Sequence, residues 1–482
     1  MNILRNKKIL VSVFFLFQIM GLVSSVHAIL QTRTPQGAIA WAVSLNALPI
    51  IAVPAYWVFG RSKFNGYVDA WRDASLPIED DLKEISRKFQ PYLVESSTAH
   101  PEYEAVKKLS NTPFMNSNSV KLLVDGEATY ASLHAGIEEA ESYILFQFYI
   151  IRADESGNRF KEQLIRKAEQ GLDVYVLYDE LGSSDLPEPW IAGFRNAGIH
   201  MIPFNTRQGP QNRFQLNFRN HRKIVVVDGK STWVGGLNIG DDYLGKSKKL
   251  SPWRDTHLRI DGPVALVAQA IFLSDWHWAS KELIGGLSWE PTAASGIDGA
   301  GSDVLVLQSG PADEVETASL FFTNALNVAR ERIWIATPYF IPDEATMVAL
   351  RLALLKGIDV RIITPKLNDN WFVRHAANVY LNDLAKMGAR IFFFQDGFMH
   401  QKVMLIDNSY SLVGTVNFDN RSFRLNFEIT AAVSDGDFAG EIEAMLLDDL
   451  AASTEAKPHY LENLSIWERL KARGSALLAP VL

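Results

Sequence analysis

The stretch His221-Arg222-Lys223-Ile224-Val225-Val226-Val227-Asp228 has a second copy in the chain, His400-Gln401-Lys402-Val403-Met404-Leu405-Ile406-Asp407. Both copies follow the pattern H-x-K-x4-D, and in both a Gly-x-x-Asn follows after six further residues, at Gly235–Asn238 and Gly414–Asn417. By composition, one such match is expected in on the order of one chain in ten thousand. Two copies with identical spacing therefore indicate an internal repeat whose halves share a function.

Each copy has the pattern of a β-hairpin. The apolar runs 224–227 and 403–406 are typical of buried strands, and each is followed by a turn pair, Asp-Gly or Asp-Asn. Residues two apart on a strand face the same way, so the His and Lys of each copy should share a face and meet substrate. Each Asp has the opposite parity and lies at the turn, so Asp228 and Asp407 are expected mainly to fix the hairpin.

The sequence around the hairpins also repeats. In the first half we predict a strand over 143–149, a helix over 159–170 and a strand over 173–177. The second half repeats this order, and the helices of both halves end at a glycine, Gly171 or Gly357. The predicted segments of the second half are a strand over 332–336, a helix over 345–356 and a strand over 359–363. Alternating strands and helices predict an α/β layered fold in each half.

Composition narrows the classes of partner. The 482-residue chain has no cysteine, which excludes disulfides and zinc–thiolate sites, and its formal net charge of −8 argues against a general nucleic-acid binder. The span 189–227 nevertheless contains no acidic residue, so an anionic partner is expected to meet this local patch. Its basic residues include Arg195, Arg207, Arg213, Arg219, Arg222 and Lys223.

Two apolar runs near the N-terminus predict two transmembrane helices, at about 9–26 and 38–59. Basic residues flank the outer ends, and only Arg33 lies between the runs, so both ends should be cytoplasmic. The flanking residues are Arg5, Lys7, Lys8, Arg61 and Lys63. The first run could instead be a signal peptide cleaved after Ala28. The bulk of the chain faces the cytoplasm under either interpretation.

The doubled motif resembles that of the phospholipase D superfamily, and the surrounding stretches are similar to the bacterial cardiolipin synthases. The stretches that carry this resemblance are Phe-Gly-Arg at 59–61, Phe-Arg-Asn-His-Arg-Lys at 218–223, Gly-Gly-Leu-Asn-Ile-Gly-Asp at 235–241, Trp-Arg-Asp-Thr-His at 253–257, Thr-Pro-Tyr-Phe-Ile-Pro at 337–342 and Asn-Phe-Asp-Asn-Arg-Ser at 417–422. The resemblance implies two pseudo-symmetric α/β/α lobes packed around one active site and preceded by two transmembrane helices.

With this resemblance the chain divides into six parts. These are a membrane anchor over 1–64, a connecting segment over 65–118, a first lobe over 119–284, a linker over 285–302, a second lobe over 303–450 and a helical tail over 451–482. The tail places Leu464, Trp467 and Leu470 on roughly one helical face, a pattern more typical of packing than of membrane contact.

The reaction that the resemblance implies condenses two phosphatidylglycerol molecules into cardiolipin and glycerol through a phosphohistidine. It makes His221 the nucleophile and His400 the group that exchanges protons with the alcohols. The catalytic set comprises His221, Lys223, Asp228, His400, Lys402 and Asp407. The expected substrate-binding or orienting set comprises Asn238, Asn417, Asp255, Glu428, Arg219 and Arg222. No cofactor is implied, and the sequence has no convincing metal-ligand spacing.

A nucleophilic histidine needs an acceptor at its far ring nitrogen. Asp255 lies 34 residues after His221, and Glu428 lies 28 residues after His400, so each is expected to hold the histidine of its own half. The two halves also differ, because Gly236 and Thr415 occupy equivalent positions where many family members have serine. The two lobes are therefore expected to have unequal roles.

Three other functions remain open at the sequence level. A phospholipase D would transfer the same intermediate to water. A membrane-anchored nuclease of the superfamily is disfavoured by the net charge and the anchor, and a non-catalytic scaffold by the two intact motifs. The expected partners are phosphatidylglycerol and other anionic phospholipids of the bacterial inner membrane, without nucleic acid.

Overall fold

The computed structural model describes the chain except for residues 1, 33–34, 62, 76–78, 95–100, 111, 209–211, 213–215, 248, 297–300 and 480–482. Arg33 and Arg213, which the sequence singles out, therefore lie outside the described residues, as do the side chains of Arg5, Lys7 and Lys8.

Outside residues 1 and 33–34, the N-terminal apolar region forms three helices, α1 (Asn2–Gln31), α2 (Pro35–Ala47) and α3 (Pro49–Phe59). Within the described part of the chain, one segment is long and apolar enough to cross a membrane, Ile9–Gln31 of α1. The prediction of a second continuous helix over 38–59 is wrong. Pro49 has no N–H to donate, and Leu48 leaves the helical conformation at φ −134°, so the run divides into α2 and α3. Both short helices pack against α1.

The connecting segment is helical, with α4 (Tyr67–Ser75), α5 (Glu79–Phe89) and α6 (Pro101–Ser110). Phe64 and Tyr67, at the start of this segment, are buried in the core beside the first H-x-K motif. The hydroxyl of Tyr67 donates to Asp275 Oδ1 at 2.6 Å. The segment that leaves the apolar region is therefore part of the catalytic core's packing.

In its described residues, the first lobe contains nine strands and four α-helices. In chain order they are β1 (Met115–Val124), α7 (Asp125–Glu139), β2 (Tyr143–Phe148), α8 (Glu155–Glu169), β3 (Asp173–Asp179), α9 (Glu188–Asn196), β4 (His200–Phe204), β5 (Arg219–Asn220), β6 (Ile224–Val227), β7 (Ser231–Gly235), β8 (Trp253–Arg254), β9 (Thr256–Asp261) and α10 (Ala265–Ser280).

From Ser302 onward, the part of the chain that the structure describes contributes eleven strands and six α-helices. They are β10 (Ser302–Ser309), α11 (Thr317–Val328), β11 (Arg332–Ala336), β12 (Phe340–Ile341), α12 (Glu344–Leu355), β13 (Asp359–Pro365), α13 (Trp371–Ala385), β14 (Arg390–Phe394), β15 (Phe398–Met399), β16 (Val403–Ile406), β17 (Tyr410–Gly414), β18 (Phe418–Asp419), α14 (Asn420–Arg424), β19 (Asn426–Ser434), α15 (Gly436–Ala451), β20 (Ser453–Glu455) and α16 (Ile466–Ala476).

One sheet runs through both lobes in the order β20-β14-β13-β11-β16-β17-β19-β10-β1-β9-β7-β6-β2-β3-β4, and β5 pairs with β19 beside it. The order on either side of the β10–β1 pair is the same: β9, β7, β6, β2, β3, β4 in the first lobe correspond to β19, β17, β16, β11, β13, β14 in the second. The antiparallel β1–β10 pair joins the lobes. The motif strands β6 and β16 lie at equivalent, central positions and are buried along their whole length.

Both repeated helices end at the predicted glycines, and the structure adds an aspartate cap at the start of each. Asp154 caps α8 by accepting from the Gly157 N–H, and Asp343 caps α12 by accepting from the Thr346 N–H. Gly171 and Gly357 follow these helices with φ of +95° and +82°, a conformation that glycine adopts at low cost.

The tail differs from its prediction. It begins with a short strand, β20, which pairs with β14 at the edge of the sheet. The side chains of Leu464, Trp467 and Leu470 are exposed, Trp467 to 71% of its surface, so the predicted packing role of this face is wrong. Helix α16 packs on α13 instead, and its buried residues are Ala472 and Ser475.

Candidate active site

The two H-x-K-x4-D stretches form equivalent hairpins. In the first, β6 pairs with β7 in the register Ile224 to Val234, and in the second, β16 pairs with β17 in the register Val403 to Val413. The turns place Asp228 and Asp407 at φ of +53° and +51°, a left-handed conformation that aspartate tolerates better than most residues.

Both turn aspartates bind the backbone of the loop that leads into the neighbouring strand. The Asp228 carboxylate accepts from the N–H groups of residues 141–143 at 2.8–2.9 Å. The Asp407 carboxylate accepts from those of residues 330–332. These contacts anchor each hairpin to the start of β2 or β11, which is the hairpin-fixing role that strand parity predicts.

The two histidines are held by carboxylates from the opposite lobe. His221 Nδ1 lies 2.8 Å from Glu428 Oε2, and His400 Nδ1 lies 2.8 Å from Asp255 Oδ2. The predicted pairing within each half, Asp255 with His221 and Glu428 with His400, is therefore wrong. Both acids are in the site, but their partners are exchanged.

Two short parallel strand pairs cause this exchange. The strand β5, which leads into His221, pairs with β19 so that Arg219 and Asn220 face Asn426 and Phe427, and the next residue along β19 is Glu428. The strand β15 pairs in the same way with β8, just before His400 and Asp255. The backbone pairing continues, since His221 N–H donates to Phe427 O at 2.9 Å and His400 N–H donates to Arg254 O at 2.7 Å.

Burial makes both histidines neutral near pH 7. Burial lowers the pKa of His221 to about 4, and burial together with the Lys402 charge lowers the pKa of His400 to about 4. Burial alone would raise the pKa of Asp255, but the Lys402 charge and the His400 bond hold it below its usual range. A neutral imidazole beside an ionised carboxylate donates Nδ1–H, which leaves Nε2 with a lone pair.

The two lysines lie in the same buried cluster. Lys223 Nζ donates to His221 O at 2.8 Å, and Lys402 Nζ lies 3.1 Å from His400 Nε2. Burial lowers the pKa of Lys223 to about 7 and that of Lys402 to about 8, and each is influenced by carboxylates of both lobes. The Lys402 charge also lowers the pKa values of Lys223 and His221, so the two motifs form one electrostatic unit.

The equivalent asparagines have different surroundings. Asn238 Oδ1 accepts from the Ile150 N–H at 3.0 Å and so ties the strand end to the neighbouring loop. Asn417 is also buried, but its Oδ1 has no hydrogen-bond partner among the described residues. Asn417 is therefore the amide with capacity left for a ligand, either directly or through a flip of its side chain.

Gly236 packs closely against the acid that holds His400. A Cβ on Gly236 would lie 2.0 Å from Asp255 Oδ1, so a side chain there would displace the carboxylate that holds His400. At the equivalent position, the Thr415 hydroxyl accepts from the Ile429 N–H at 2.9 Å, beside Glu428. The two acids are thus supported differently in the two lobes.

Arg222 does not face the site. It is buried beneath the motif, where Nη1 lies 2.6 Å from Asp275 Oδ1 and Nε donates to Glu428 O. Its predicted role in drawing in a phosphate is therefore corrected to a supporting one. The equivalent middle residue, Gln401, donates to Asp449 Oδ2 at 2.6 Å.

Asp275 and Asp449 were missed at the sequence level. Each lies on the last helix of its lobe, α10 or α15, and is buried beneath the motif. For Asp275 the signal available was an acid within an otherwise apolar stretch of helix, which is costly to bury without a partner; Asp449 follows Asp448 and gave no such signal.

The predicted basic patch is mostly neutralised. Arg195 pairs with Glu188 at 2.8 Å, and Arg207 pairs with Glu180 at 2.6 Å. Arg219 remains beside the motif, where its Nη1 donates to the carbonyls of Leu216 and Phe218. Among the described residues, no group of three or more His, Asp or Glu side chains is arranged to hold a metal ion.

Comparison with known proteins agrees with this architecture. The family model "Cardiolipin synthase, PLD-like domain" matches residues 133–274 and 322–450. A curated protein of Pseudomonas fluorescens, "Cardiolipin synthase A", is 43% identical over 472 residues, which cover 97% of this chain and 97% of that protein. The protein of the same name from Pseudomonas aeruginosa is 43% identical over 470 residues, covering 96% of this chain and 94% of that one.

A solved structure supports the fold alone. The phosphatidylserine synthase of Haemophilus influenzae superposes with a TM-score of 0.60 at 16% sequence identity, and the match covers 79% of this chain and 100% of that one.

Proposed function

Because the chain belongs to the bacterial cardiolipin synthases of the phospholipase D superfamily, we propose that it condenses two phosphatidylglycerol molecules into cardiolipin and glycerol. The observation that carries this proposal is the pair of buried histidines, His221 and His400, whose acid partners are exchanged between the lobes. Each has an Nε2 lone pair, each is oriented by a carboxylate of the other lobe, and two lysines lie beside them. Such a site contains a nucleophile, a proton-exchanging group and cations for one phosphodiester.

In the first step, His221 Nε2 attacks the phosphorus of the donor lipid. A P–N bond forms, the P–O bond to the head-group glycerol breaks, and His400 gives its proton to the departing oxygen. The negative charge of a bound phosphodiester raises the pKa of His400, so this histidine can carry a proton when substrate is present. Asp255 stabilises the resulting imidazolium.

In the second step, His400 takes the proton of a terminal hydroxyl on the second phosphatidylglycerol. That oxygen attacks the phosphorus, the P–N bond breaks, and His221 is restored as a neutral imidazole. No net proton is gained or lost over the two steps. In this path Lys223, Lys402 and Asn417 bind the non-bridging oxygens, whose negative charge is concentrated in the transition state.

The membrane arrangement follows from the apolar region. We infer that α1 crosses the bilayer and that α2 and α3, which pack against α1, return the chain to its starting side. The catalytic residues then lie in the cytoplasm, next to lipid in the leaflet that supplies the substrate. A reporter fused after Leu482 should be active only in the cytoplasm. Periplasmic activity of that fusion would overturn this topology.

Purified protein in vesicles of phosphatidylglycerol labelled in both the phosphate and the head-group glycerol tests the function. The expected products are labelled cardiolipin and free labelled glycerol in equal amounts. Phosphatidic acid with free glycerol would show that water is the acceptor, as in a phospholipase D. No release of glycerol would refute the phosphatidyl-transfer path.

A further inference from the structure

Two guanidinium groups from different lobes meet beside the first motif. Arg219 Nη1 donates to the carbonyls of Leu216 and Phe218, and Arg421 Nη2 donates to Asn217 O at 2.5 Å. The two arginines therefore bind carbonyls of three successive residues. Among the described residues, neither has a carboxylate within ion-pair distance, unlike Arg222 and Arg424, which have acidic partners.

This pair lies next to the reacting groups. Arg219 is two residues before His221 and is near enough to the Tyr149 hydroxyl to lower its pKa, against the larger raising effect of burial. The Tyr149 ring lies 5.0 Å from the His221 ring, and Lys223 Nζ lies 5.5 Å from the Tyr149 ring centre. The arginines, Tyr149, Lys223 and His221 therefore form one connected group of side chains.

Holding the two arginines together has an electrostatic cost. Burial lowers the pKa of Arg421, and the like charge of Arg219 lowers it further. Asp419 is near enough to act on Arg421, but its carboxylate caps α14 by accepting from the Ser422 N–H at 2.7 Å. Two neighbouring cations that lack a paired carboxylate form a site that an anion would stabilise.

The opposite flank of the site has the reverse charge. Tyr339 donates its hydroxyl to the Asp369 carboxylate at 2.6 Å, and Asp369 acts on both His400 and Lys402. Asp369 thus lies near His400, and two arginines lie near His221. Asp179 also acts on Tyr149 and Lys223 on the arginine side, but its carboxylate accepts from the backbone N–H groups of residues 181, 182 and 220. An anionic group adjacent to the reacting phosphate would be attracted to the arginine side and repelled from the Asp369 side.

The chemistry of the proposed reaction requires such a group. Cardiolipin contains two phosphodiesters joined by one glycerol, so when one phosphorus is at the histidines, the other is one glycerol away and negatively charged. We propose that Arg219 and Arg421 bind this second, non-reacting phosphodiester. The proposal rests on the function proposed above, and it names the feature by which the site prefers a phospholipid alcohol to water or free glycerol as acceptor.

Two reactions of the phosphohistidine distinguish binding of the second phosphodiester from other roles of the two arginines. Cardiolipin formation from phosphatidylglycerol needs the second phosphodiester, whereas incorporation of labelled free glycerol into phosphatidylglycerol needs only the phosphohistidine and an uncharged alcohol. For Arg421→Gln and Arg219→Gln we expect cardiolipin formation to fall about 10- to 100-fold, as for loss of a charge-assisted hydrogen bond. The ratio of cardiolipin formation to glycerol incorporation should fall at least about tenfold.

Controls address folding and charge. Arg421→Lys, which keeps the charge but not the fork of donors, should recover part of the lost ratio. Arg195→Gln removes the same charge from an ion pair on α9 and should leave the ratio unchanged. Thermal unfolding in detergent reports whether each variant folds.

An equal loss of both reactions in folded Arg421→Gln would overturn the proposal, because it would place the arginines with the reacting phosphate or the scaffold. Full retention of both reactions in this variant would overturn the proposal as well. Absence of both reactions in the unmodified protein would instead refute the proposed function, and the inference with it.

Discussion

The half-sites around His221 and His400 share their backbone and differ in the charges at their flanks. Each histidine precedes a buried hairpin strand, and each binds a carboxylate of the other lobe through Nδ1 at 2.8 Å. Beside His221, however, Tyr149 is near Arg219, whereas the charge near His400 is that of Asp369, which accepts from the Tyr339 hydroxyl. The asparagines differ too, since Asn238 is bound to the Ile150 N–H and Asn417 Oδ1 has no partner among the described residues.

This comparison shows what the repeat preserves and what it allows to diverge. Hairpin register and the crossed carboxylates set the positions of the reacting nitrogens, and they are the same in both halves. The outer groups decide which substrate approaches from which side, and they differ. Crossing also means that neither lobe contains a complete half-site, because each histidine depends on an acid of its partner lobe.

The largest effects are expected from the histidines. His221→Ala and His400→Ala should each lower cardiolipin formation by about 10⁴-fold or more while the protein stays folded and membrane-bound. The measurement is turnover of labelled phosphatidylglycerol. Near-normal activity in either variant would break the single-site model.

The same variants sharpen the assignment of roles. After a rapid quench, label should be found on His221 in His400→Ala and should be absent from His221→Ala. Phosphate on His400 in His221→Ala would exchange the two roles. The arginines lie on the His221 side and Asp369 on the His400 side, where its charge partly opposes the lowering of the His400 pKa by burial.

The lysines come next. Lys223→Ala and Lys402→Ala should each cost about 10²–10³-fold, because each removes a fixed cation from the transition-state oxygens. Burial lowers their pKa values to about 7 and about 8, so the cations are present below these values and lost above them. In the free enzyme kcat/KM should therefore decline as the pH rises through 7 to 8.

Arginine stays charged as the pH rises through 7 to 8, so replacing one lysine at a time with arginine shows which lysine causes the decline. Lys223→Arg should move the alkaline limb of kcat/KM upward more than Lys402→Arg does, because Lys223 has the lower pKa. An equal movement, or none, would show that the limb reports another group.

Substitutions of the two acids test whether each histidine depends on the acid of the opposite lobe. Glu428→Gln and Asp255→Asn should each cost about 10- to 100-fold, as for loss of the group that orients a reacting imidazole. In His400→Ala, where label collects on His221, adding Glu428→Gln should slow labelling, and adding Asp255→Asn should affect it much less. The opposite ranking would restore the pairing within each lobe and contradict the structure.

The sequence predicted the repeated elements well because their signals are local. The motif strands 224–227 and 403–406 agree with β6 and β16, and Gly171 and Gly357 end their helices as expected. Both carboxylates were identified, but not their partners. The crossing depends on two-residue strand pairs between the lobes, β5 with β19 and β15 with β8, which leave no periodic pattern in the sequence.

The other errors have physical reasons as well. Arg222 lies between His221 and Lys223 on an extended stretch, so its side chain is expected on the face opposite to theirs. The prediction placed Arg222 in the substrate site because of its charge and ignored this alternation. The second apolar run met the length criterion for a span, but the missing N–H of Pro49 divides it. The exposed face of α16 has the pattern of a packed face, and only the structure shows that nothing covers it among the described residues.

The smallest effects are expected at the turn aspartates, where the comparison becomes one of stability. Each carboxylate accepts from three successive backbone N–H groups, and neither faces the site. Replacing it with an amide leaves fewer acceptors for these donors, so Asp228→Asn and Asp407→Asn should each lower the free energy of unfolding by about 1–3 kcal/mol. Asp228 is buried and Asp407 is partly exposed, so the loss should be larger for Asp228→Asn.

Asparagine also tolerates the left-handed backbone of these turns, so the substitutions remove hydrogen bonds without adding strain. Thermal unfolding in detergent measures the stability, and turnover per folded molecule measures the activity, which should stay within about tenfold of the unmodified protein. A loss of activity comparable to that of the lysine variants, in protein that is folded, would show that the aspartates take part in the chemistry. Equal destabilisation by the two substitutions would show that burial at the turn does not distinguish the half-sites.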